Sequence, residues 1–173
     1  MKFLNNYIKY VNKLNTVVGK YTSWLTTILV LVVLFDVITR YVFNSSSVAM
    51  QELEWHLFAV LFLMGAAFTL LKDNHVRVDL LYSTFNIKQK AWINLVGTLL
   101  FLIPFVLLII YSSYNYVANS FAYSESSPDP GGLPARYILK AFIPLSFIFL
   151  LLQSFSLLFS SILQIRTGKK EVN

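Results

Sequence analysis

The chain has 173 residues, of which 57% are hydrophobic, 16% aromatic and 13% charged. A water-soluble domain of this length needs more surface charge, so the composition excludes one and indicates a membrane protein with several spans. The absence of cysteine excludes disulfides, thiolate metal sites and thiol redox relays. The net charge of +6 predicts no nucleic acid partner, because the cations can lie against anionic phospholipid.

The first 20 residues have the pattern of an amphipathic helix. Apolar side chains recur at helical spacing, at Phe3, Leu4, Tyr7, Ile8, Val11, Leu14, Val18 and Tyr21. Residues 2–20 are therefore predicted to lie in the headgroup plane as an interfacial helix, with phospholipid as partner. The predicted lipid-interface anchors are Lys2, Lys9, Lys13, Trp24 and Trp92. The long amphipathic segment and the lack of a cleavage site after the first span disfavour a signal peptide.

Four long apolar stretches follow, at residues 21–43, 53–71, 92–117 and 139–165. Each is long enough to cross about 30 Å of hydrocarbon at about 1.5 Å per residue. The sequence therefore predicts an all-α integral membrane protein with four transmembrane helices. All of residues 1–173 would form a single membrane domain.

Basic residues gather on every second connector. They are Lys2, Lys9, Lys13 and Lys20 before the first span, Lys72, Arg77, Lys88 and Lys90 between the second and third, and Arg166, Lys169 and Lys170 after the fourth. The other connectors and the span ends beside them carry Glu52, Glu54, Glu125 and Asp129 with only three basic residues, Arg40, Arg136 and Lys140. The positive-inside rule then predicts that both termini are cytoplasmic.

Asp36 and Arg40 lie four residues apart in the first span, on one helix face. They can form an ion pair that faces a neighbouring helix. Arg40 can instead extend to the interface, which leaves Asp36 alone at depth. An ion or proton pathway through Asp36 and a contact with another subunit are the further alternatives.

The fourth span carries a stripe of hydrogen-bonding side chains at Ser146, Gln153, Ser156 and Ser160. Small and polar residues mediate close helix packing in membranes, either within a chain or between subunits. Packing is the simpler interpretation for each of them, and ligand contact is the alternative.

The sequence predicts no cofactor, no metal site and no enzymatic activity. The two histidines, His56 and His75, flank the second span about 28 Å apart along the helix, so one haem cannot bridge them. No glycine-rich phosphate loop ends in Gly-Lys-Ser/Thr. Nucleophile and base constellations are absent as well.

Two connectors carry distinctive polar patterns. Between the second and third spans, His75, Arg77 and Asp79 alternate with apolar residues and are predicted to lock the cytoplasmic end of the second helix to its neighbours. The connector from Glu125 to Arg136 contains three prolines and two glycines, which predicts a fixed, non-helical turn.

The ordered set of these features resembles the small membrane subunit, of DctQ type, of tripartite ATP-independent periplasmic (TRAP) transporters. The resemblance is carried by residues 52–58 and 65–67, by 75–79, by the turn at 125–136, and by Lys140, Ile143, Pro144, Leu152 and Gln153. It spans nearly the whole chain. Each motif alone is weak, whereas their order and placement on four predicted spans are specific.

The resemblance implies a scaffold in a sodium-driven transporter of the bacterial inner membrane that imports an organic acid. The implied partners are a large membrane subunit of DctM type and a periplasmic substrate-binding protein. On this interpretation the membrane-subunit interface contains Asp36, Arg40, Ser146, Gln153, Ser156 and Ser160. The docking face for the binding protein would contain Glu52, Glu54, His56, Glu125, Asp129 and Arg136. The alternative is a self-sufficient four-helix transporter that uses Asp36.

Overall fold

The computed structural model describes residues 2–72 and 84–168, and these residues form four long helices without a strand. The helices are α1 (Lys2–Val42), α2 (Val48–Leu71), α3 (Ile87–Ala122) and α4 (Arg136–Thr167). Each is long and apolar enough to cross a membrane. The prediction of an all-α protein with four transmembrane helices is confirmed. His75, Arg77 and Asp79, the predicted cytoplasmic lock, lie outside the described residues.

The separate interfacial helix predicted for residues 2–20 is not what the structure shows. Residues 2–42 form one uninterrupted helix of 41 residues. The segment contains no proline, and its glycine lies where the helix touches a neighbour, so nothing in it ends the first helix before the span begins. We call residues 2–20 of α1 the arm.

α3 and α4 also extend beyond their predicted spans. Asn86 caps α3 because its side chain accepts a hydrogen bond from the Gln89 backbone N–H (2.9 Å) while the Gln89 side chain accepts one from the Asn86 N–H (3.0 Å). A π-helical turn, Thr98–Leu102, lies within α3 just before Pro104. Gly168, with φ of +67°, ends α4 in the left-handed conformation.

α1 and α2 form an antiparallel hairpin, joined at residues 43–47. The two helices approach so closely at Gly19 that a Cβ atom there would lie 2.3 Å from Cγ of Phe68. Glycine is therefore required at this crossing. The buried residues of α1 fall on one face, at Ile8, Val11, Asn15, Gly19, Thr22 and Asp36.

The centre of the bundle is where α2, α3 and α4 meet. Ala67, Leu70, Val106 and Leu150 form a buried apolar cluster there. Farther along, α3 and α4 present small buried residues to one another at seven-residue spacing, Ala91 and Thr98 on α3 and Ser154 and Ser161 on α4. Small residues let two helix backbones approach closely, which is how membrane helices associate without a hydrophobic driving force.

The helices end at different levels. Glu52 of α2 contacts Arg136 at the start of α4, and Leu70 near the end of α2 packs with Leu150. α4 therefore continues for about 25 Å beyond α2. There it packs against the arm and the first turns of α3. We call the end of the bundle with residues 43–47 and 123–135 the loop end.

Candidate functional site: a connector loop built on Glu52

The site at the loop end is organised by one carboxylate, that of Glu52. Glu52 lies in the second turn of α2 and is only 4% exposed, although it is charged. A buried carboxylate needs hydrogen-bond donors around it, because removal from water is costly for an unpaired charge. The connector between α3 and α4 supplies them.

Three donors from this connector converge on Glu52. The Ser127 hydroxyl donates to Oε1 at 2.5 Å, and the Leu133 backbone N–H donates to Oε2 at 2.6 Å. The Arg136 guanidinium donates to Oε1 at 3.0 Å and completes an ion pair. Charge-assisted hydrogen bonds are stronger and shorter than neutral ones. A single side chain of α2 thus holds both sides of the connector loop, although its first contact there, Ser127, lies 75 residues later in the sequence.

Gly132 makes this arrangement possible. A Cβ atom at position 132 would lie 2.4 Å from Oγ of Ser127 and 2.8 Å from Oε2 of Glu52. Any larger residue would push the loop away from the carboxylate. Sequence reasoning identified the Gly-Gly pair as a turn but gave no signal that one of its glycines was needed for close approach.

The loop is also closed on itself. The Ser127 N–H donates to the Leu133 carbonyl (3.0 Å), and the Gly132 N–H donates to the Asp129 carbonyl (3.0 Å). The Asp129 N–H donates to the Ser127 hydroxyl (3.1 Å). These bonds satisfy the backbone polar groups of a short connector without a helix or strand. The connector is non-helical and internally braced, as its prolines and glycines predicted.

A second ion pair lies beside the first. Lys140 donates to the Glu125 carboxylate, and its Nζ lies 4.1 Å from the centroid of the Tyr116 ring. The hydrogen bond from Lys140 lowers the pKa of the Glu125 carboxyl below its ordinary value. The Arg136 guanidinium lies 5.7 Å from the centroid of the Trp55 ring. Two cations of α4 are therefore each held by one carboxylate and one aromatic ring.

Of the six residues predicted to dock a binding protein, four have side chains that form hydrogen bonds within residues 2–72 and 84–168. Three of these, Glu52, Arg136 and Glu125, have the partners described above. His56 donates from Nδ1 to the Glu52 backbone carbonyl at 2.5 Å, an assignment that depends on its tautomer. Asp129 is exposed at the tip of the loop. Glu54 is half-buried, and its Oε1 is buried without a hydrogen-bond partner.

The predicted membrane-subunit interface has a mixed placement. Asp36 and Arg40 pair with each other, and Asp36 is 1% exposed. Ser146 is buried and donates to the Ile143 carbonyl of its own helix (2.8 Å). Ser160 is half-buried and accepts a hydrogen bond from Gln164 (3.2 Å).

Gln153 and Ser156 face the arm of the same chain. The Asn15 amide donates to Oε1 of Gln153 at 2.8 Å, and Gln153 donates to Oδ1 of Asn12 at 3.2 Å. Ser156 donates to the same Asn12 oxygen at 2.9 Å. We call Asn12, Asn15, Gln153 and Ser156 the amide cluster. The sequence analysis assigned no role to Asn12 or Asn15, although Asn15 shares a helix face with Ile8 and Val11, which was the available signal.

The predicted lipid anchors are all on the surface. Lys2, Lys9 and Lys13 are exposed, Trp24 is 64% exposed and Trp92 is 53% exposed. Within residues 2–72 and 84–168, no three His, Asp or Glu side chains come together in a way that would hold a metal ion.

Comparison with known proteins supports one family. The model of a family described as "Tripartite ATP-independent periplasmic transporters, DctQ component" matches residues 29–164. The matched region includes α2, α3 and the whole connector that carries the site. No curated protein matches the chain.

Proposed function

The chain belongs to the DctQ family of TRAP transporter components, and from this premise we propose that it is the small scaffold subunit of a sodium-driven, binding-protein-dependent importer of an organic acid. It holds a large membrane subunit of DctM type and helps to dock the periplasmic substrate-binding protein. The protein is then a multi-pass component of a bacterial inner membrane. The family is one of transporter components and not a family of enzymes.

The observation that carries the docking role is the loop held by Glu52. A docking surface binds more tightly when it is already ordered, because the ordering entropy is not lost on binding. Three donors to Glu52, one of them Arg136, and the ion pair between Lys140 and Glu125 hold this connector in place. The loop thereby supplies a preformed surface at the end of a membrane bundle.

Exposure and internal pairing support a smaller set of charged residues as contacts for the binding protein. Glu52 is buried and forms an ion pair with the partly exposed Arg136, so the main contribution of this pair is to shape the loop. Asp129 at the exposed tip is the acid that can steer a basic patch of the binding protein. Asp129→Asn should slow uptake at low salt and have little effect at high salt, where surface charges are screened.

The proposed orientation places the loop end in the periplasm. Exposed lysines at positions 2, 9, 13, 20 and 88 lie toward the opposite end of the bundle. The positive-inside rule assigns that end to the cytoplasm. A cysteine introduced at Asp129 should therefore react with an impermeant reagent added outside spheroplasts.

The test of the function is sodium-driven uptake in proteoliposomes that contain the chain with and without the large subunit, in the presence of the binding protein. Uptake only by the pair supports the scaffold function. Uptake by this chain alone, abolished in Asp36→Asn, would replace it with the self-sufficient transporter. Equal uptake by the large subunit when this chain is omitted would also contradict the proposal.

A further inference from the structure

α1 carries a second apolar face that none of the other residues in 2–72 and 84–168 covers. On the arm and just beyond it, the exposed large side chains are Phe3, Tyr10, Leu14, Val17, Tyr21 and Trp24, which are between 39% and 81% exposed. From Tyr10 onward their spacing alternates between four and three residues, and the same spacing continues from Ile28 to Val42. We call this line of residues the α1 stripe. It runs beside the face that packs on α2 and α4.

On the arm, the stripe is set apart because the exposed residues around it are polar. Every other exposed residue of α1 between positions 2 and 27 is Lys, Asn, Ser or Thr. Beyond Ile28 the exposed residues away from the stripe become apolar as well, at Val30, Val33, Leu34 and Val37. Residues 2–27 therefore have the pattern of a helix with one apolar seam and a polar remainder. The residues beyond Ile28 have the pattern of a lipid-facing helix.

The stripe is also longer than the hydrocarbon layer can cover. From Phe3 to Val42 it extends for about 58 Å along one uninterrupted helix. A hydrocarbon layer of about 30 Å covers about 40 Å of a helix even at the largest ordinary tilt, about 40°. Because the arm continues the span without a break, it cannot turn to lie flat in the headgroup plane. Part of the stripe therefore lies beyond the hydrocarbon layer, where a protein partner can cover it.

The spacing and the charges describe the occupant. Alternating steps of three and four residues match the knobs-into-holes packing of two long helices, which lipid does not require. Lys13 and Lys20 are exposed and directly precede Leu14 and Tyr21, at the flanking positions where paired helices form salt bridges. The first 35 residues contain no Asp or Glu, so a second copy of the arm could not supply the opposite charge.

We propose that the α1 stripe is the docking seam for a long helix of the large membrane subunit, a helix with an apolar heptad seam bordered by acidic residues. This inference rests on the proposed function and names the face through which it operates. It also assigns to the arm a protein partner in place of the lipid headgroups that the sequence pattern suggested. The arm then packs against two helices, α4 on one face and the partner helix on the other.

The test uses the absence of cysteine from the chain, which makes single introduced thiols unique. Val17 lies on the stripe and is 44% exposed, and its neighbour Thr16 is exposed but lies off the stripe. V17C and T16C are similar in size to the residues they replace and form a matched pair. Each is placed in lipid nanodiscs, alone and with the large subunit, and its reaction with a water-soluble maleimide is timed. The amount of co-purified large subunit is measured in the same samples.

The expected result is that the large subunit slows labelling of the V17C thiol by about tenfold or more, while T16C reacts at nearly the same rate in both samples. Slow labelling of V17C without the large subunit means that lipid covers the stripe, and self-cross-linking of V17C in the chain alone means that a second copy does. Either result overturns the inference, as does equal labelling of V17C in a pair that co-purifies, and all three leave the proposed function standing. Failure of the two chains to co-purify overturns both.

Discussion

The two ends of the bundle are held together by different chemistry. At the loop end, Glu52 and Arg136 form an ion pair with added hydrogen bonds from Ser127 and Leu133. Between the arm and α4, the amide cluster uses only neutral groups. A buried carboxylate needs several donors to offset its removal from water, whereas neutral amides can satisfy one another with single hydrogen bonds. The loop end therefore depends on donors that converge on one charge, and the amide cluster depends on the pairing of neutral side chains.

The largest effect is expected from removal of the carboxylate at the loop end. Glu52→Ala leaves the Arg136 guanidinium without its anion and the Leu133 N–H without an acceptor. The loop should lose its conformation, and the apparent melting temperature in detergent should fall by about 5 °C or more. Asp129→Asn, at the exposed loop tip, is the matched acidic control and should change it by about 1 °C or less. Equal effects of the two variants would show that the conformation of the loop does not depend on the Glu52 carboxylate.

The amide cluster should be the next most sensitive place. Gln153→Leu leaves the buried Asn15 amide without its acceptor, at a cost of about 1–3 kcal/mol, while the half-buried Asn12 keeps its hydrogen bond from Ser156. The double variant Asn15→Leu with Gln153→Leu should recover part of the loss, because both partners become apolar. Thermal unfolding of the two variants and of Gln164→Leu, a half-buried control near the end of α4, measures this. A double variant less stable than Gln153→Leu would show that the cluster is not held by these bonds.

Gly131 and Gly132 are adjacent but need to be glycine for different reasons, the first for its backbone conformation and the second for the close approach of its neighbours. Gly132→Ala places a Cβ against Ser127 and Glu52 and should cost about 1–3 kcal/mol. Gly131→Ala meets no neighbouring atom but has φ of +79°, and it should cost about 1 kcal/mol. Limited proteolysis at the connector should accelerate more for Gly132→Ala. The reverse order would mean that the loop does not depend on its approach to Glu52.

The smallest effect is a pH dependence at the second ion pair. Because Lys140 lowers the pKa of Glu125 in the folded protein, the unfolded chain takes up this proton first as the pH falls. Stability from the pair is thus complete above the ordinary glutamate range, about pH 4.3, and is lost as the pH falls through the lower folded-state pKa. Glu125→Gln should flatten the melting temperature between pH 5 and 3 by a small but measurable amount. An unchanged profile would exclude the pair as a source of acid sensitivity.

Particular residues show how far the sequence alone could go at the site. The prolines and glycines of 125–136 were sufficient to predict a fixed, non-helical connector. The sequence also identified Glu52 and Arg136 as charged residues of the same end. It gave them an external role, because nothing in their spacing reveals that they lie within 3.0 Å of each other. Pairing across 84 residues is a property of the fold.

The four spans were determined by the sequence itself, because length and hydrophobicity decide whether a helix can cross a bilayer independently of its neighbours. The Asp36–Arg40 pair followed in the same way from local spacing. Tertiary structure alone decided that Asn12 and Asn15 bond to α4 and that Gly132 and Ser127 close on Glu52. The physical reason is that hydrophobicity acts on each segment separately, whereas buried polar groups are satisfied only by partners that packing brings to them.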